Sequence, residues 1–127
     1  MGRLNRLLAF LLLQLLAASA QACLFAKDAR PQDWNDWATV LFAADVTGVE
    51  QDVQKSLDVI TVRVAETFKG PPASSATLQV PIRLWSSCRL ERPAVGAHVL
   101  VALNANNDTL LVPLTSAYAE LLKKHPF

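Results

Sequence analysis

Ile60, Val62 and Val64 alternate with Thr61, Arg63 and Ala65, and the run stops at Phe68-Lys69-Gly70-Pro71-Pro72. Strict alternation puts every apolar side chain on one face of an extended strand, and a Gly-Pro-Pro stop ends it. A single strand or hairpin with one apolar face is marginal in water, so this pattern commits the chain to a larger sheet. The pattern then recurs. Leu78, Val80, Ile82 and Leu84 oppose Thr77, Gln79, Pro81 and Arg83 in a third strand. Pro81 has no N–H to give a ladder, which places that stretch at an edge or a bulge. Val99, Val101 and Leu103 predict a fourth strand, Asn104–Asp108 a turn, and Leu110, Val112 and Leu114 a fifth. Ahead of them all, Thr39–Val49 is β-branched and apolar and predicts the first strand, bent at Gly48. Glu50–Ser56 reads as its polar connection to the second.

Helices are expected only at the two ends. Pro31 suits a first helical turn, and Trp34 and Trp37 then share one helical face. Ser116 is a candidate cap for a helix through Leu122, with Lys123 and Lys124 at the favourable carboxyl end and Pro126 beyond it. The fold class predicted is mainly β: a small five-stranded barrel, closed or partly open, with a short N-terminal helix and a C-terminal helix.

The amino terminus belongs to a different kind of segment. Arg3 and Arg6 precede an apolar run of ten residues, Leu7–Leu16, and small residues follow from Ala17 to Ala22. These are the parts of a secretory signal, and the run falls well short of the about 20 residues needed to span a bilayer. Cleavage after Ala20-Gln21-Ala22 makes residues 1–22 the signal and residues 23–127 one domain, starting at Cys23. Loss of two of the 12 basic residues leaves ten against 11 acidic, a net charge of about −1. Such a surface gives no reason to expect nucleic acid, which demands clustered Lys and Arg. No second apolar run approaches membrane length. The chain is therefore expected to be secreted, extracellular or periplasmic, with no membrane span, and monomeric.

The two cysteines, Cys23 and Cys88, are read as one disulfide, because exported chains meet an oxidising compartment. Closing a loop of 66 residues stabilises a fold by roughly 4 kcal/mol in the chain-entropy account. A bacterial lipoprotein signal also ends just before a cysteine, which is then acylated. That reading of Cys23 excludes the disulfide and the free amine, and Ala20 replaces the branched residue such a signal favours. Asn107-Asp108-Thr109 is a glycosylation acceptor in a predicted turn.

Catalytic motifs are missing from the sequence: no His-Glu-x-x-His, no Gly-x-Ser-x-Gly and no glycine-rich phosphate loop among four scattered glycines. His98 sits in a strand and His125 in the tail; Asp45 and Asp58 fall on different strands with no visible acid partner. The chain reads as a non-enzyme without a cofactor. Trp34, Trp37 and Trp85 raise the question of a stacking platform for single-stranded nucleic acid or sugar, but no basic groove accompanies them, and Trp34 and Trp37 are assigned to covering the apolar surface.

Several segments, taken in order, carry a family likeness: a mature chain starting at cysteine, Arg30-Pro31-Gln32, the strand through Val40–Val49, Glu66-Thr67-Phe68-Lys69-Gly70, Ser86-Ser87-Cys88, and Gly96-Ala97-His98-Val99-Leu100-Val101-Ala102. In this order they resemble the amino-terminal domain of the tissue inhibitors of metalloproteinases. Phe25 stands where that family has its second cysteine, and Arg89 where it usually has glycine. The resemblance implies a netrin-like version of the oligonucleotide/oligosaccharide-binding (OB) barrel. It also implies a mode of action. In that family the α-amine and carbonyl of the mature amino-terminal cysteine chelate the protease's catalytic zinc and displace its water. An α-amine with a pKa of about 7.7–8.0 deprotonates readily enough to be a ligand. Carried over, Cys23 would contact the partner's zinc and be bonded to Cys88. Leu24 would enter the primed-side pocket, with Phe25, Ser86 and Ser87 beside it. The partner implied is a zinc metalloprotease or another extracellular protein. The alternative is a secreted or envelope-associated adaptor barrel, in one version a lipoprotein, that binds a peptide, polysaccharide or protein without inhibiting it.

Overall fold

The computed structural model describes residues 29–127; the expected signal, Cys23, Leu24 and Phe25 lie outside the described residues. It is mainly β. Helix α1 (Pro31–Trp37) leads into β1 (Val40–Asp52), β2 (Leu57–Lys69) and β3 (Ser75–Pro81); a short helix α2 (Arg83–Ser87) follows, then β4 (His98–Leu103), β5 (Thr109–Pro113) and α3 (Ser116–Lys124). The strands form one antiparallel sheet in the order β3-β2-β1-β4-β5. Its two edges, β3 and β5, approach each other, but no ladder joins them and the sheet is not closed.

Irregularities between β1 and β2 shape this sheet. The register slips between Leu41 and Phe42, between Ala43 and Ala44, and between Val46 and Gly48. Thr47 is the extra residue at the last slip, and its hydroxyl donates to the Thr61 carbonyl at 3.1 Å; the bend expected at Gly48 is this bulge. Bulges bend a strand and increase its twist. Ile60 and Val62 face the first apolar cluster with Val64 packed against it, whereas Phe68, the extra β2 residue at the slip between Leu41 and Phe42, packs against the second. Gly70 then ends β2 at φ +91, and a Cβ there would stand 3.1 Å from the Thr39 carbonyl oxygen. The Phe-Lys-Gly stop needs glycine on both counts.

The core has two parts. One face of every strand meets in the first cluster, with Phe42, Ala44 and Val46 from β1, Ile60 and Val62 from β2, Leu78 and Val80 from β3, Val99 and Val101 from β4, and Leu111 from β5. Trp85 of α2 joins them. The second cluster lies on the opposite face of β1, β4 and β5, where Leu41, Leu100, Ala102, Leu110 and Val112 meet Trp34, Ala38 and Leu122 from the helical ends. This explains why Val99-Leu100-Val101-Ala102 is an unbroken apolar run. A strand buried on both faces has no reason to alternate.

Polar bonds tie the ends together. Pro31 opens α1, and Asp33 accepts the Arg30 backbone N–H at 2.9 Å and its guanidinium at 3.4 Å. The Arg30 backbone bond first, then its side-chain bond, lowers the Asp33 pKa from the ordinary aspartate value. The Trp34 indole donates to the Tyr118 hydroxyl at 2.8 Å, which donates onward to the Ala29 carbonyl at 2.6 Å. Lys69 of β2 donates to the Asn35 carbonyl at 2.6 Å.

Some sequence expectations need correction. The third strand does not reach Leu84: it ends at Pro81, Ile82 turns into helical geometry, and Arg83–Ser87 is a helix. Pro81 is the last ladder residue, paired with Leu57, as a residue without an N–H allows. β1 runs to Asp52, so the connection is only the turn 53–56. The cap of α3 is Thr115, whose hydroxyl accepts the Tyr118 N–H at 3.2 Å; Ser116 is the first helical residue.

Leu122 and Leu121 are adjacent on α3 but differ completely, at 0% and 55% exposure. Leu122→Ala should lower unfolding free energy by about 2–4 kcal/mol, whereas Leu121→Ala should change it by less than about 0.5 kcal/mol. Urea denaturation of the two variants measures both.

Candidate functional site

The segment between β3 and β4 carries the sequence-predicted serines, and its shape is decided by two of its own residues, Trp85 and Arg92, with Asp58 of β2. Asp58 on β2 is fully buried. Its carboxylate accepts the Trp85 indole N–H at 2.6 Å and pairs with the Arg92 guanidinium, itself 42% exposed. A carboxylate out of water is costly unless paired and hydrogen-bonded, and here each oxygen has a donor. The two donors come from either side of Cys88. The bond to Trp85 pulls α2 onto the first apolar cluster, and the pair with Arg92 holds the returning chain.

Helix α2 then ends in a defined way. The Arg89 N–H donates to the Ser86 carbonyl at 3.4 Å and the Leu90 N–H to the Trp85 carbonyl at 2.9 Å. Arg89 is left-handed, at φ 52. This is a Schellman close, with Cys88 as the cap and Arg89 at the position usually given to glycine. Leu90, the residue after it, packs against the first cluster beside Trp85. Ser86 and Ser87 lie on the exposed side of the turn, and the Ser86 hydroxyl donates back to the Arg83 carbonyl at 3.2 Å.

Of the residues singled out from sequence, Ser86, Ser87 and Cys88 are therefore brought together in one exposed turn. No cysteine among the described residues is a free thiol, and Cys88 is engaged. Cys23, Leu24 and Phe25 lie outside the described residues. Trp85 is no stacking platform: it is buried and its indole is spent on Asp58. Trp34 is buried as well, and Trp37 packs against the second cluster. The sequence pattern alone does not bring Asp58, Trp85 and Arg92 together, as the structure does. The one available signal was an aspartate inside an alternating strand at an otherwise apolar position, between Ser56 and Ile60.

A second polar group sits on the exposed side of β1, β2 and β4. Asp45 contacts His98 Nδ1 and accepts from Arg63 at 3.3 Å. The His98 bond first, then the Arg63 bond, lowers the Asp45 pKa from its ordinary value. His98 is thus a hydrogen-bonded strand residue. Among the described residues no three His, Cys, Asp or Glu side chains are grouped to hold a metal. No helix among them is long and apolar enough to cross a membrane.

No protein-family model matches the chain, and no curated protein matches it either.

Two substitutions separate the devices that shape this turn. Trp85→Phe keeps the apolar body but leaves a buried carboxylate oxygen without its donor, and should cost about 1.5–3 kcal/mol. Arg89→Gly should instead stabilise by up to about 1 kcal/mol, since it removes left-handed strain on an L side chain at some cost in chain entropy. Chemical denaturation of both variants gives opposite signs if the assignments hold.

Proposed function

We propose that this is a secreted binding domain of the metalloproteinase-inhibitor type. In this reading it is not an enzyme, and it acts through a mature amino terminus at Cys23 that is bonded to Cys88. One observation carries the proposal. Ala29 packs against the second apolar cluster, and so do Leu84 and Leu90, which flank Cys88 on either side. The chain thus enters the described fold over the same apolar cluster that the residues flanking Cys88 meet. The six residues from Cys23 to Asp28 extend to about 20 Å, ample to bring the amino terminus alongside Ser86 and Ser87.

The architecture supports the same reading. The strand order β3-β2-β1-β4-β5, with β3 and β5 approaching each other and one face of every strand in a common cluster, is the order expected of a partly open OB barrel of the netrin-like kind. In that arrangement the chemistry is simple. The α-amine and carbonyl of Cys23 occupy the open coordination position of a protease zinc and displace the water that position keeps for hydrolysis. The disulfide fixes the backbone that presents them, and Leu24 fills the adjoining apolar pocket.

The test is inhibition of a panel of zinc endopeptidases by the secreted protein, alongside its intact and reduced mass. The mass should show a chain beginning at Cys23 with one disulfide and no lipid. Inhibition should nearly vanish when one alanine is added ahead of Cys23, because the amine moves away from the metal while bond and barrel stay. Leu24→Gly should weaken binding by about 1.5–3 kcal/mol, the value of one buried leucine side chain. A panel untouched by the native protein, or equal inhibition by the extended variant, leaves the adaptor barrel in its place.

A further inference from the structure

A cleft opens at the far end of the β2–β3 ladder, lined by Lys55, Ser56, Leu57, Pro81, Ile82 and Arg83. Its walls are tied to each other. Leu57 and Pro81 are the terminal pair of the ladder, and the Ile82 N–H donates to the Ser56 carbonyl at 3.1 Å. Leu57, Pro81 and Ile82 are half-buried and supply an apolar floor, while Lys55 and Arg83 stand exposed at its rim. The β1–β2 turn, which supplies Lys55 and Ser56 to the cleft, also carries Val53, 75% exposed and the most exposed large apolar residue among those described.

The charges around the cleft are uneven. Among the described residues, Arg30, Arg63, Arg92 and Lys123 are each paired with a carboxylate. Lys69 is bonded to a carbonyl. Neither Lys55 nor Arg83 has an ion pair among the described residues, and Arg89, six positions beyond Arg83, has none. The nearest acids in sequence, Asp52 and Asp58, are engaged elsewhere: Asp52 accepts the Lys55 backbone N–H at 3.2 Å within the β1–β2 turn, and Asp58 is buried on Trp85 and Arg92. Two uncompensated cations over an apolar floor therefore face solvent beside the turn that carries Ser86.

We infer that this cleft takes an extended segment of a partner protein in which a glutamate or aspartate side chain is flanked by apolar residues. The carboxylate sits between Lys55 and Arg83, and the apolar neighbour covers Leu57, Pro81 and Ile82. Charge complementarity selects the acid; an ion pair at an exposed rim is weak alone, so the apolar floor supplies the remainder. The walls are pre-formed by the ladder end and the Ile82–Ser56 bond, so little ordering opposes binding. The inference stands apart from the zinc-chelation reading, since it uses neither Cys23 nor the serines.

The experiment is an NMR titration of the isotope-labelled secreted protein with the blocked peptide acetyl-Leu-Glu-Leu-amide. Acetyl-Leu-Gln-Leu-amide and inorganic phosphate serve as comparison probes. Saturable amide shifts are expected at Lys55, Ser56, Leu57, Ile82 and Arg83 with the glutamate peptide. The double variant Lys55→Glu/Arg83→Glu should bind it about tenfold or more weakly, with its remaining resonances unmoved to show an intact fold. Should that variant misfold, 0.5 M sodium chloride on the native protein must produce the same weakening, because exposed charges are screened at that strength. Equal binding of the glutamine peptide overturns the charge assignment. Phosphate binding as tightly as the peptide overturns the peptide assignment, and shifts confined to other residues overturn the site.

Discussion

A single buried carboxylate organises the part of this domain that has no ladder. The chain from Ile82 to Ala97 lies between β3 and β4 and belongs to no strand. Asp58 reaches it twice, through residues 27 and 34 positions further on. Neither contact follows from chain proximity, and a segment of this length closes on the sheet only if something offsets its loss of entropy. Apolar burial of Trp85 contributes, yet it does not fix orientation. The two directed bonds do, because a carboxylate buried without donors would be more costly than the unclosed loop.

The helical ends depend on a different principle. β1 over Leu41–Ala44, β4 over Val99–Ala102 and β5 over Leu110–Val112 are apolar on both faces, whereas β2 and β3 expose Thr61, Arg63, Thr77 and Gln79 to solvent across most of their outer side. Something must cover the outer face of the first three. α1 and α3 do so with Trp34, Ala38 and Leu122, and the indole–hydroxyl–carbonyl chain through Tyr118 locks them to each other and to Ala29. Burial raises the Tyr118 pKa, against a smaller opposing contribution from the Trp34 bond, so the hydroxyl stays a neutral relay. The point where the chain enters the fold is thereby set by which strands are two-faced.

Much of this was legible in the chain and some was not, for reasons that can be named. Alternation at Ile60-Val62-Val64 and the Gly-Pro-Pro stop gave β2 its identity, because both are local properties of backbone geometry. α1 was legible at Pro31 and α3 at its two terminal lysines. The alternation of the third strand continues through Ile82 and Leu84 although the strand ends at Pro81, since alternation cannot distinguish a strand from one helical turn packed on the same core. Thr115 and Ser116 are equally good hydroxyls one position apart, and only the Tyr118 N–H chooses Thr115 as the cap. Asp58 could be seen as an anomaly within an apolar face. Its partners, Trp85 and Arg92, lie on a segment whose path the pattern does not encode.

Arg89 shows how local strain and long-range anchoring meet in one turn. A Schellman close is favourable with glycine and costs about 1–2 kcal/mol with an L side chain. The helix it closes has five residues, too few to stand by propensity alone. Left to itself, such a turn would unwind and relieve the strain at Arg89. It does not, because Trp85 before the close and Arg92 after it are both fastened to Asp58, while Leu90 is held in the core between them. The strained residue is thus bracketed by anchors on both sides, and the turn Ser86-Ser87-Cys88 is held between Trp85 and Arg92.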